Sequence, residues 1–136
     1  MTIPIIGGCA CGAVRYQCNA EPIAMLNCHC KDCQRSSGAP YASGFIVTPS
    51  AMEISGEVAA HSVVGGSGAK TTRNFCSICG SPLFASTEVS PAFMSVRFST
   101  LDSTADFEPK LDIWTSSAQP WTCMNSLSPK FEQSPM

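Results

Sequence analysis

Charge is scarce in this 136-residue chain: Asp, Glu, Lys and Arg make up 13% of it, and the net charge is −2. The few Lys and Arg are scattered, so no basic stripe points to nucleic acid and no polybasic patch to an anionic membrane. Long apolar runs are missing too. No stretch approaches the roughly eighteen residues of a membrane-spanning helix, and the opening MTIPIIGGCACG lacks the basic region and long apolar core of a secretory leader. The expectation is a cytosolic protein with neither a nucleic-acid nor a membrane partner. Helical periodicity is weak throughout, because ten prolines and ten glycines interrupt most windows long enough to hold a helix. The length suits one domain over residues 1–136, able to bury a core without disulfide staples. The polar, Pro-bearing tail from Ser126, SLSPKFEQSPM, is expected to be a loosely held end.

Short runs rich in Val, Ile, Tyr, Phe and Thr recur between turn residues: AVRYQC from Ala13, YASGFIV from Tyr41, TTRNF from Thr71, PLFAS from Pro82 and FMSVRFS from Phe93. This punctuation predicts a mostly-β fold. In AVRYQC, Val14, Tyr16 and Cys18 alternate with Ala13, Arg15 and Gln17, which assigns Cys18 to the core. In FMSVRFS, Met94, Val96 and Phe98 oppose Phe93, Ser95, Arg97 and Ser99. One helical turn is expected around Lys31–Ser37, ended by Gly38. VVGGSGAK, from Val63 to Lys70, lacks the residue order of a phosphate-binding loop and reads as a hairpin loop between strands.

Cysteine, by contrast, is plentiful. Nine are present, and seven fall in three groups: Cys9-x-Cys11, Cys28-x-Cys30-x-x-Cys33 and Cys76-x-x-Cys79. Cys18 and Cys123 stand alone. An odd number of cysteines fits poorly with a fully paired disulfide framework, and in a reducing compartment such spacing points to metal ligation or catalysis. FCSICGSPLF has the form of a zinc knuckle, in which a tight turn aims backbone N–H groups at two sulfurs and Gly80 supplies a positive φ. GGCACGAV is a second such turn. Cys9, Cys11, Cys76 and Cys79 together would make the closed four-thiolate shell of a structural zinc, against the plainer alternative of buried thiols packed as small apolar groups. Four thiolates suit iron as well, but knuckle turns favour zinc.

The stretch NCHCKDCQR supplies only three clustered thiols, Cys28, Cys30 and Cys33. Three ligands with one open position is the pattern of a catalytic zinc, whereas a structural site would need a fourth ligand from His29, Cys18, Cys123 or His61. The ligand count alone leaves both open. An ion held by three thiolates is a weak Lewis acid toward water, yet still strips the proton from a coordinated thiol, so the chemistry favours thiol activation. Lys31 and Arg35 are candidates to offset the thiolate charge or meet a substrate carboxylate, and Asp32 to move a proton. All three would otherwise be ordinary solvated side chains. His29 lies between two ligands, where neighbouring side chains point apart, so a supporting hydrogen bond is favoured over ligation.

GGCACGAVRY, CHCKDCQRSSGAP and FCSICGSPLF, followed by KLDIWTSSAQPW, resemble in order and spacing the glutathione-dependent formaldehyde-activating family, whose domain is shared with a centromere protein. The resemblance covers about Gly7 to Trp121. It implies a mostly-β, Mss4-like zinc-binding sandwich with short helical turns and a carbon–sulfur lyase activity that adds glutathione to formaldehyde or a related small aldehyde. It places a structural zinc on Cys9, Cys11, Cys76 and Cys79, and a catalytic zinc on Cys28, Cys30 and Cys33. Glutathione would then be co-substrate, with Lys31 or Arg35 on a carboxylate and Trp114 or Trp121 walling the pocket, although core packing is the commoner use of a tryptophan. The competing readings are a non-catalytic zinc module that binds protein or thiol, and a redox or metal-storage protein.

Overall fold

A computed structural model describes residues 1–135. The described elements run β1 (Ile5–Gly8), β2 (Arg15–Cys18), β3 (Ala24–Cys28), α1 (Lys31–Ser37), β4 (Ala42–Val47), β5 (Met52–Ser55), β6 (Val58–Val64), β7 (Lys70–Cys76), β8 (Pro82–Thr87), β9 (Met94–Arg97) and β10 (Leu111–Ile113). They form a three-stranded sheet, β1-β2-β5, and a seven-stranded sheet, β10-β3-β4-β9-β8-β7-β6. Among the described strands every pairing is antiparallel except β10 beside β3, and an isolated bridge between Asp112 and Lys130 is parallel too. The architecture is the expected mostly-β one, with one helix and single 3-10 turns.

Alternation decides which side chains meet. Val14, Tyr16 and Cys18 are all 3% exposed or less, and they pack with Phe45, Val47, Phe84 and Val96 from the larger sheet. Register explains the second group, since Phe45 pairs with Val96 and Val96 with Phe84, so their side chains share one face. Burying each such side chain contributes on the order of 1.5–3 kcal/mol before entropy is counted. The opposite face of the larger sheet carries Ala24, Leu26 and Cys28 from β3, Ile46 from β4, Ser95 from β9, Ala85 from β8 and Arg73 from β7. Ala24 pairs with Ile46, Ile46 with Ser95, Ser95 with Ala85, and Ala85 with Arg73.

Helix α1 sits at the end of β3. The Cys30 sulfur caps it by accepting from the Cys33 N–H, and Gly38 ends it in the left-handed region at φ 68°, donating to the Gln34 carbonyl. The segment VVGGSGAK is the β6–β7 hairpin loop, closed by the Gly65 N–H on the Ala69 carbonyl at 2.9 Å.

The C-terminal segment is held more firmly than its composition suggests. Asp112 N–H donates to Pro129, Phe131 N–H to Asp112, Thr115 N–H to Phe131 and Trp114 N–H to Gln133. Side chains add to this: Ser128 Oγ reaches Asp112 Oδ2 at 3.0 Å and Ser116 Oγ reaches the Glu132 carbonyl at 2.6 Å. A polar segment without apolar periodicity reads as loose, yet here it supplies partners for the free edge of β10. Met136, the last residue of that tail, lies outside the described residues. Deleting residues 126–136 removes these partners and is expected to destabilise the chain by about 2 kcal/mol or more, a loss of several degrees in Tm. A melting curve unchanged by the deletion would show the tail to be dispensable.

Candidate functional site

Two sulfur clusters lie at different places in the fold. The first joins the turn after β1 to the end of β7. Cys9 Sγ stands 3.6 Å from Cys11 Sγ, and Cys11 Sγ 3.7 Å from Cys76 Sγ; with Cys79, all four sulfurs lie within 4.8 Å of one another. These separations are far longer than a disulfide of ~2.05 Å. They match the edge of about 3.8 Å that a tetrahedron with metal–sulfur bonds near ~2.3 Å requires. Backbone N–H groups point at the sulfurs as a knuckle demands: Val14 on Cys9 at 3.2 Å, and Ile78 and Cys79 on Cys76 at 3.4 and 3.5 Å. Gly80 turns the chain at φ 75°. The donor set fits a closed four-sulfur metal site.

Ser81 joins the two turns, a role its sequence position gave no sign of. Its hydroxyl accepts from the Ala10 N–H at 3.0 Å and lies 3.2 Å from Cys79 Sγ. In the metal-free chain the Ser81 hydroxyl and N–H bring the Cys79 thiol down to about 5. The hydrogen bond from Ala13 favours the Cys11 thiolate, but desolvation and thiol contacts to Cys9, Cys79 and Cys76 outweigh it and push Cys11 up to about 11.

The second cluster is Cys28 at the end of β3, Cys30 at the helix cap and Cys33 in the first turn of α1, also within 4.8 Å of one another. Cys28 Sγ and Cys30 Sγ are 3.4 Å apart. Among the described residues no fourth metal-binding side chain joins them. Cys18 is fully buried in the core with its thiol on the Ala20 carbonyl at 3.3 Å; Cys123 is exposed and belongs to neither cluster; His61 is exposed on β6. His29 is fully buried, with Nε2 2.8 Å from Asp112 Oδ1. Strand alternation sends Cys28 to one face and His29 to the other, where Asp112 of β10 waits beside Asn27. Burial raises the Asp112 carboxyl, but hydrogen bonds from His29, Ser128 and Asn27 outweigh it and hold its pKa below the ordinary carboxylate value.

Charge around the three thiols comes from strands remote in sequence. Arg73 Nη2 donates to Cys33 Sγ at 3.5 Å, and the 8%-exposed Arg97 donates to Ser36 Oγ at 2.7 Å. Hydrogen bonds from Cys28 and Cys30, aided by the Arg73 and Arg97 charges, pull the Cys33 thiol far below its ordinary value despite burial. Cys28, donating to both partners and buried, is pushed strongly up. Gln34 fixes the helix from the other side, donating to the His29 carbonyl at 2.7 Å and the Ser117 carbonyl at 3.0 Å. The sequence does not single out Arg73, Arg97 or Gln34: the alternation in FMSVRFS sets Arg97 opposite Val96 without saying which face is buried, and nothing marks Arg73 as facing a thiol.

The three thiols open into a cavity of about 630 Å³ whose thiol end also carries Lys31, Asp32, Arg73, the Gly65–Ser67 loop and Trp114. Trp114 is held in the left-handed region at φ 57°. Its ring lies so close to Gly66 that a Cβ there would stand 3.3 Å from two ring carbons. Trp121 does not join it. With Lys31, Gln34 and Arg35 it lines a shallower groove of about 340 Å³ across the outer side of α1. Lys31 borders both. The structure thus brings Asp32 and Trp114 to the thiols and sets Arg35 and Trp121 around the corner.

A chain folded around one closed four-sulfur centre and one three-sulfur centre at a cavity defines a class, and sequence comparison names it. Residues 4–117 match the model of the glutathione-dependent formaldehyde-activating enzyme family. The chain belongs to that family. No curated protein matches the sequence. Among solved structures, a crystal structure of a Rhodobacter sphaeroides protein superimposes with a TM-score of 0.60 at 20% identity, covering 75% of this chain and 92% of that one, a likeness of fold.

Two outcomes are expected from the geometry. Cys76→Ser should lower bound metal by one ion per chain and lower Tm together, because the four sulfurs close a loop between residues 65 positions apart; full metal content with an unchanged Tm would sink the four-sulfur assignment. In chelated protein that keeps its β-sheet circular dichroism, iodoacetamide at pH 6.5 should label Cys79, whose pKa lies below that pH, well before Cys11, whose pKa lies above it. Equal labelling rates by peptide mass spectrometry would contradict this.

Proposed function

We propose that this chain is a zinc-dependent carbon–sulfur lyase that adds a thiol, glutathione in the family's named reaction, to a small aldehyde and cleaves the same adduct in reverse. The observation that carries this reading is the three-thiol cluster: among the described residues it lacks a fourth ligand, and it faces a cavity. Cys28, Cys30 and Cys33 would hold one zinc, and Cys9, Cys11, Cys76 and Cys79 a second, structural one. Bound at the three-thiol site, the ion supplies a Lewis acid that makes an incoming thiol acidic at neutral pH.

The rest falls to the chain's own groups. The groove with Lys31, Arg35 and Trp121 offers two cations for a glutathione carboxylate, and Lys31 at its border directs the cysteine end toward the cavity. Arg73, fixed against Cys33, presents a guanidinium where negative charge develops on the aldehyde oxygen as sulfur bonds to carbon. Asp32 takes the thiol proton and returns it to that oxygen. Trp114 and the Gly65–Ser67 loop shield the reacting atoms from water. The His29–Asp112 bond and the Gln34 bonds hold the segment between Cys28 and Cys33 in place. The setting is a reducing, cytosolic one, where clustered thiols stay available to ligate metal.

The test is catalysed exchange between free and hydroxymethylated glutathione, followed by NMR exchange spectroscopy. Cys30→Ser is expected to retain the metal ion of the four-sulfur cluster and the fold while losing roughly a hundredfold or more in catalysed exchange. Arg73→Leu should lose roughly tenfold to a hundredfold with both ions retained. Full exchange activity in Cys30→Ser would show that the three-thiol site does not carry the reaction, and none in the wild-type chain loaded with two ions would favour a non-catalytic binding module instead.

A further inference from the structure

The cavity reaches well beyond the thiols. Its volume of about 630 Å³ falls in the ~300–1,000 Å³ range that accommodates a drug-sized organic molecule, far more than a one-carbon aldehyde fills. The floor is the non-core face of the seven-stranded sheet. Register sets Leu26 beside Leu111, Ala24 beside Ile46, Ile46 beside Ser95 and Ser95 beside Ala85. Phe93 adds to it, and Ile23 and Val89 stand at the rim, 58% and 44% exposed. Among the described residues, the charged side chains lining the cavity are Lys31, Asp32 and Arg73, all at the thiol end. Glutathione, with two carboxylates and an ammonium, would find no charged partner along the remaining arm; the Lys31 and Arg35 groove suits it better.

We propose that the apolar arm holds the carbon chain or ring of the electrophile, so that the preferred substrate is a hydrophobic aldehyde of roughly six carbons or more, not formaldehyde. This deepens the lyase reading and rests on it for the chemistry. The thiol sulfur forms a bond to the carbonyl carbon, the C=O π bond opens, and the thiol proton ends on the oxygen. The reverse step breaks that C–S bond and returns the proton to sulfur, so no oxidant or reductant is needed. Each methylene laid on the floor should improve binding roughly three- to fourfold.

The experiment uses the zinc-loaded chain and two readouts. Calorimetric titration with unreactive 1-octanol and ethanol tests the arm without chemistry; turnover of glutathione with formaldehyde, butanal and octanal tests selectivity. Octanol should bind roughly a hundredfold or more tighter than ethanol, and kcat/KM should rise from formaldehyde to octanal. Ala85→Phe, which fills the arm, and Ile46→Asn, which makes it polar, should each weaken octanol binding roughly tenfold; if one fails to fold, the other decides. Octanol binding no tighter than ethanol, or binding unmoved in a folded variant, overturns the proposal. Turnover of formaldehyde with rejection of octanal overturns it and leaves the lyase reading standing. Tight octanol binding with no turnover of any aldehyde overturns the lyase reading and keeps the apolar ligand site. A dimer by light scattering that dissociates in Ile46→Asn would assign this face to a second copy, and also overturns the proposal.

Discussion

Four sulfurs from two turns converge between the small sheet and the large one, placed to tie them through a metal ion. Cys9 and Cys11 follow β1 of the small sheet, while Cys76 and Cys79 follow β7 of the large one. Between the sheets lies a core of modest size, dominated by Val14, Tyr16, Phe45, Phe84 and Val96. A chain of this length with few charges and no disulfides gains from a fixed tie across so long a loop. Strand β7 ends at Cys76, one of the four. Arg73 lies three positions before Cys76, so the strand that ends at the four-sulfur cluster also carries the guanidinium that meets Cys33 of the other.

The open centre depends on a different constraint, the two-residue period of β3. It sends Cys28 to the cavity face and turns Asn27 and His29 to the opposite side, where they meet Asp112. One strand therefore presents a ligand on one face and the bonds that steady it on the other. The C-terminal segment strengthens the same arrangement, because Ser128 completes the hydrogen bonds of Asp112 and Phe131 donates to its carbonyl. Asp112 thus links the tail to His29, between Cys28 and Cys30.

Much of this was legible from residue order. The runs at Ala13, Tyr41, Thr71, Pro82 and Phe93 all became strands, α1 occupies Lys31–Ser37 with Gly38 as its cap, and both sulfur clusters follow the Cys spacing. What escaped notice has physical reasons. VAAHSVV forms edge strand β6 with a largely exposed face, so it shows no apolar alternation. AMLNC in β3 mixes residues of weak strand propensity, and MEIS is a short, exposed strip of the small sheet. Arg73 lies 40 residues from Cys33, and they meet only through the sheet order, in which β4, β9 and β8 join β3 to β7. Trp114 and Trp121, near neighbours in sequence, end in separate cavities because the chain turns sharply at Trp114.

The central claim is that one centre is closed and the other exchangeable, and zinc X-ray absorption of the doubly loaded chain, with and without glutathione, tests it most directly. Without glutathione, one zinc should be fully sulfur-ligated and the other should carry a lighter ligand. On adding glutathione, average sulfur coordination should rise towards four per zinc. Full sulfur coordination of both ions from the outset, or a spectrum indifferent to glutathione, would be incompatible with an open thiol-binding centre.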